Sequence, residues 1–105
     1  MTTFDDREKG FERKFALDEE NEFKAIARRN RLLGEWAAGL MGLENVADYA
    51  RVVVKSDFEQ PGDDDVLRRV FGDLKGAGVD VNEGAVRRKM DELLGVAREQ
   101  IAAGG

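Results

Sequence analysis

The reactions open to this chain are limited first by the side chains it lacks. Its 105 residues hold 22 Asp and Glu and 17 Lys and Arg, with no His and no Cys. That removes disulfide cross-linking, zinc sites built on the usual ligands, and Cys or His nucleophile chemistry. It also removes a histidine switch near neutral pH. Carboxylates remain, and the densest run is Asp63-Asp64-Asp65. A calcium loop alternates its ligands and adds a distal Glu, which this run does not do. Three carboxylates at a helix start instead cap free N–H groups and complement the positive end of the helix dipole. No catalytic loop, nucleophile elbow or dinucleotide fingerprint is present, and Gly76-Ala77-Gly78 is too short to cradle phosphate. The expectation is a protein that is not an enzyme, with no metal and no cofactor. Two basic clusters, Arg28-Arg29-Asn30-Arg31 and Arg87-Arg88-Lys89, read as solvated or partner-facing charge on helices.

The most informative spacing is aromatic. Phe4, Phe11 and Phe15 follow one another at steps of seven and four, so a helix places them on one side. Thr3 and Asp6 resemble a weak capping box, and Asp5 and Lys9 form a favourable i,i+4 pair. Gly10 sits among them and costs about 1 kcal/mol relative to Ala in a helix. The polar stretch Asp18-Glu19-Glu20-Asn21-Glu22 then interrupts the apolar stripe for more than a turn. Residues 1–18 are therefore read as a mobile arm, marginal as an isolated helix and ordered when a groove receives its rings.

The elements that must position this arm follow from periodicity. A first body helix is expected from about Glu19 to Met41, with Phe23, Ile26, Ala27, Leu33, Ala37, Leu40 and Met41 on one face. Trp36 and Leu32 fall on the other side, so this helix should be contacted from two directions. Gly34 and Gly39, beside small Ala residues, are expected to let another helix approach closely. Gly42 ends the element. Asn45 should cap a second helix with Val46, Tyr49, Ala50 and Val53 as its stripe, closed by Pro61-Gly62. Arg51-Val52-Val53-Val54 has strand propensity, but the flanking apolar residues keep a helical period. A third helix opens at Asp63 with Val66, Leu67, Val70, Phe71 and Leu74 inward. Asn82 caps a fourth, with Val86, Met90, Leu93, Leu94, Ala97 and Ile101 on its face. Short connections make neighbours antiparallel. The fold class is all-α: a four-helix bundle of residues 19–105 with a mobile N-terminal arm of residues 1–18.

Composition agrees with one small domain. The chain is 42% hydrophobic and 37% charged, with both signs interspersed and a net charge of -5. A net negative surface repels phosphates, so no nucleic-acid partner is expected. The opening MTTFDDREKG offers no apolar run for a signal peptide or a membrane span, which points to the cytoplasm without membrane insertion.

Four blocks, MTTFDDREKGFERKFALDEE, FKAIARRNRLLGEWAA, QPGDDDVLRRV and VRRKMDELL, resemble the ATPase inhibitor zeta subunit family of alphaproteobacteria. The likeness covers nearly the whole chain in order, and the opening block and PGDDDVLRRV are its specific parts. It implies a four-helix bundle with a mobile inhibitory N-terminus. That segment would enter an interface between the alpha and beta subunits of the ATP synthase catalytic head, near the rotor gamma subunit, and block rotation in the hydrolytic direction. The residues it singles out are Phe4, Arg7, Phe11, Lys14 and Phe15. Gly10 stands where the family leads one to expect Ala, and Leu17 where His is common. The alternative is a non-enzymatic helical module that binds through its bundle face, with the arm playing no part.

Overall fold

A computed structural model describes the backbone of residues 3–104 and the side chains of residues 19–104. Four helices follow in order: α1 (Thr3–Met41), α2 (Val46–Glu59), α3 (Asp63–Gly76) and α4 (Glu83–Ala102). There is no strand among the described residues, and the run at Val52–Val54 is helical. The protein is an all-α four-helix bundle.

The caps obey the local chemistry. The Asn45 side chain accepts the Asp48 N–H at 3.2 Å, and Asn82 accepts the Ala85 N–H at 2.7 Å, each satisfying a donor that a helix start leaves open. At the end of α1, Gly42 has a φ of 70°, the left-handed region that favours glycine. The Leu43 N–H then reaches back to the Ala38 carbonyl at 3.0 Å, closing the helix. The start of α3 departs from expectation. Its N-cap is Gly62, with no side-chain cap. Asp63, Asp64 and Asp65 occupy the first turn, where they complement the dipole, and their side chains pair elsewhere. Asp63 receives Arg29, Asp64 receives Arg87 at 3.1 Å, and Asp65 receives Arg68.

The start of α1 is earlier than the residue pattern alone suggests. Asp18 to Glu22 breaks the apolar stripe but not the helix. Glu and Lys are good helix formers, and Glu20 pairs with Lys24 one turn on, at 3.5 Å. A break in periodicity removes burial, not backbone hydrogen bonding. The 39 residues of α1 span about 58 Å at the helical rise, against about 30 Å for the 20 residues of α4.

The core gathers Leu33 and Ala37 of α1, Val53 of α2, Val66, Leu67, Val70 and Leu74 of α3, and Val86 and Met90 of α4. Trp36 packs against it, and Lys89 sits over the indole ring at 5.7 Å. α1 meets each of the other three helices, as its two-sided apolar pattern requires. Gly34 makes the tightest crossing: a Cβ there would lie 2.6 Å from the Ala50 Cα of α2. Gly39 has no such neighbour and is open. Three residues assigned to the inner face of α1 are not inside. Phe23 is 71% exposed, and Leu40 and Ala27 are also exposed. The buried positions at that end of the helix are Ala25, Arg29 and Asn30.

Candidate partner-binding surfaces

Two surfaces could receive a partner: the N-terminal end of α1, and the valley between α1 and α2.

At the first, α4 finishes beside α1. Arg98 donates to Glu22 through Nε at 3.0 Å and Nη2 at 2.5 Å, a two-pronged pairing across the helices. The Arg98 hydrogen bonds and charge hold the Glu22 carboxyl below the usual range and push the guanidinium up. α4 ends at Ala102, and Asn21, Glu22, Ile101 and Ala102 border one shallow recess there. α1 itself begins well before this level, at Thr3. Phe4, Arg7, Phe11, Lys14 and Phe15 belong to that earlier part, and their side chains lie outside the described residues.

The basic cluster on α1 has a different role from the one its charge suggests. Arg29 is 1% exposed, and so is Asn30. Arg29 Nε donates to Asn30 Oδ1 at 3.0 Å and its Nη2 donates to Asp63 Oδ1 at 2.9 Å. Asn30 Nδ2 donates to Asp57 Oδ2 at 2.8 Å, and the other oxygen of Asp57 accepts the Gly62 N–H at 3.2 Å. These bonds bolt the α2–α3 connection onto α1. Gly62 itself has a φ of 140°, which side-chain-bearing residues rarely adopt. The Arg29 hydrogen bond and charge hold Asp63 below the usual carboxylate range. No buried side-chain nitrogen or oxygen lacks a partner among the described residues. Arg29 is thus structural, and not partner-facing. The signal was available in the sequence only as position: it lies one helical turn before Leu33, in line with the core. Arg31, by contrast, is exposed.

A second polar contact ties α2 to α3. The Tyr49 hydroxyl donates to Asp73 Oδ2 at 2.7 Å, and Arg69 Nε donates to the same oxygen at 2.9 Å. Burial first, then the Asp73 hydrogen bond, push the Tyr49 phenol up. A protonated phenol bonded to this carboxylate fastens α2 to α3.

The α1–α2 valley was not anticipated. Phe58 is 82% exposed, although five residues from buried Val53 it sits about 140° around the helix. With Phe23, Ile26 and Val54 it lines an apolar groove of about 460 Å³, continuous through Val54 and Phe58 with a second of about 570 Å³. Among the described residues no cluster of acidic side chains is placed to hold a metal ion. Nor is any helix among them long and apolar enough to cross a membrane.

These features define a class: a small all-helical bundle in which one helix is much longer than the other three. The chain belongs to the ATPase inhibitor subunit zeta family, whose model matches residues 1–100. It is also similar to a protein solved in solution by NMR, with 43% identity and a TM-score of 0.68, over 80% of this chain and 98% of that one. No curated protein sequence matches the chain.

Proposed function

We propose that this protein inhibits ATP hydrolysis by a bacterial F-type ATP synthase, as a non-catalytic regulatory subunit. In this reading residues 1–18 are the inhibitory arm and residues 19–105 are the bundle that carries it. The arm enters the catalytic head at an interface between alpha and beta subunits, near the gamma rotor, and obstructs rotation in the hydrolytic direction. Phe4, Phe11 and Phe15 are the apolar anchors, and Arg7 and Lys14 supply positive charge. The protein acts in the cytoplasm, held to the membrane-bound enzyme through its head.

Membership of the zeta family carries this reading, and the shape of α1 supports it. At 39 residues α1 is nearly twice as long as α4, with 20, and in this reading its first turns are the surface the partner takes. Aromatic anchors suit that surface, because each ring buries a large area at modest entropic cost. The test compares the full chain with one beginning at Glu19 on ATP hydrolysis by the isolated catalytic head. The full chain should inhibit. The shortened chain should melt cooperatively and leave hydrolysis unchanged. A shortened chain that inhibits equally would move the inhibitory element into the bundle.

A further inference from the structure

The described side chains of α1 before Ala25 have little apolar hold on the bundle. Glu19, Glu20, Asn21 and Lys24 are exposed, Phe23 is 71% exposed, and Glu22 is half-buried. Ala25 is the first buried residue among them. Helical segments that bury little open locally at small cost. Charge adds to this. Asp18 and Glu19 precede Glu22 by four and three residues, the spacings at which like charges on a helix repel. Yet α1 is helical through the whole stretch.

Arg98 of α4 reaches this stretch from outside. Its Nε donates to Glu22 Oε2 and its Nη2 to Glu22 Oε1, so the planar fork meets both carboxylate oxygens. Arg98 follows Ala97, which is fully buried, so its backbone is anchored in the bundle. Two residues on, Gln100 accepts a hydrogen bond from Arg28 at 3.4 Å, a second tie between the same two helices. The sequence directs the pair across the helices. No cation stands three or four residues from Glu22, and no carboxylate three or four residues from Arg98. Lys24, Arg51, Lys55 and Arg68, by contrast, each pair with an acid on their own helix.

We infer that Glu22 and Arg98 are positioning residues for the N-terminal part of α1: the pair carries the bundle's hold from Ala25 back to Glu22 and so fixes the helical turn from which the arm departs. A helix continues from an existing turn far more readily than it starts afresh. An arm that joins a fixed turn meets its partner with part of the ordering cost already met. The consequence for inhibition rests on the reading of the arm given above, and the hold on α1 does not.

The experiment follows amide hydrogen exchange in the full-length chain, labelled with 15N, beside a titration of ATP hydrolysis by the catalytic head. Arg98→Gln should speed exchange at residues 21–25 about two- to fivefold, the range of an exposed pair in good geometry. The amides of Leu33, Val53 and Val86 and the melting temperature should not change. Arg98→Lys, which keeps the charge and loses the fork, should fall between. Added salt should bring the unaltered chain toward Arg98→Gln, because the two side chains are 56% and 41% exposed. Arg87→Gln, which breaks an exposed pair of α4 with Asp64, is the control and should leave residues 21–25 as they were. In the titration Arg98→Gln should need about two- to fivefold more protein for half-inhibition. Exchange at 21–25 that Arg98→Gln leaves unchanged, or that Arg87→Gln speeds equally, would overturn the hold on α1. Faster exchange with inhibition at full strength would overturn the positioning role. An unaltered chain that does not inhibit would remove the reading of the arm and the positioning role together, while the exchange comparison would still decide the hold.

Discussion

Gly34→Ala should destabilise the protein although it improves the helix. Intrinsic propensity favours Ala by about 1 kcal/mol, so a free α1 would gain from the change. The crossing with α2 opposes it. The added methyl would sit 2.6 Å from the Ala50 Cα, 3.2 Å from a Val53 methyl and 3.3 Å from the Ala50 Cβ. The nearest obstacle is backbone, so no side-chain rotation relieves it, and α1 and α2 must separate by about 1 Å to restore ordinary contact. Overpacking of this kind costs about 1–3 kcal/mol, and here it also loosens the core at Val53 and Leu33. The net expectation is a loss of about 1–2 kcal/mol, which lowers Tm by roughly 4–15 °C for a chain of this size. Gly39→Ala supplies the control, because nothing lies within 4 Å of its Cβ and the position is exposed. It should raise Tm by a few degrees. Thermal melts followed by circular dichroism decide the matter. A Gly34→Ala protein as stable as Gly39→Ala would refute the close crossing.

Other expectations concern the polar fastenings and the arm. Asp63→Ala removes the charge partner of buried Arg29 and should cost about 2–4 kcal/mol by urea unfolding, whereas Asp64→Ala, which loses only an exposed partner, should cost under about 1 kcal/mol. The pH profile follows from the direction of each shift. Asp63 and Glu22 are held down in the folded state, so their stabilisation is complete above the ordinary carboxylate value near 4 and is lost as pH falls below it. Tyr49 is pushed up, so its contribution is present below about pH 10 and lost as pH rises past that value. Melts from pH 3 to 11 should fall at both ends and stay flat between 6 and 8, and Tyr49→Phe should flatten the alkaline arm. Gly10→Ala should strengthen inhibition of the catalytic head several-fold in a titration of hydrolysis rate, if the bound arm is helical there. Weaker inhibition would mean a close wall or a non-helical turn at that residue.

The fold was largely legible because capping and periodicity are local signals. Asn45, Asn82, Gly42 and Pro61-Gly62 mark ends by chemistry within a few residues, and the helices begin and end beside them. The inward faces of α3 and α4 were readable for the same reason: Val66, Leu67, Val70, Leu74, Val86, Met90 and Ala97 are all buried. What failed depends on the third dimension. Phe23 has the right period for the core but faces solvent at the valley, while Arg29 has the wrong chemistry and is buried, because Asp63 arrives from another helix. The same distance in sequence hid the role of Asp63, whose partner is 34 residues away. Of the two candidate small-residue crossings, Gly34 meets a neighbour and Gly39 does not, which only the path of α2 decides. Phe58 was invisible as a surface feature, since nothing local distinguishes an exposed ring at a helix end from a buried one.

The central claim, that the arm inhibits and the bundle carries it, is tested most directly by Phe11→Ala combined with Phe15→Ala. The measurement is the rate of ATP hydrolysis by the catalytic head as the variant is added, with a thermal melt of the free variant beside it. If the rings are anchors, each truncation removes about 2 kcal/mol or more of binding, so the double variant should leave hydrolysis essentially uninhibited. Its melting temperature should match that of the unaltered protein. Inhibition at the original strength by a folded double variant would contradict the account.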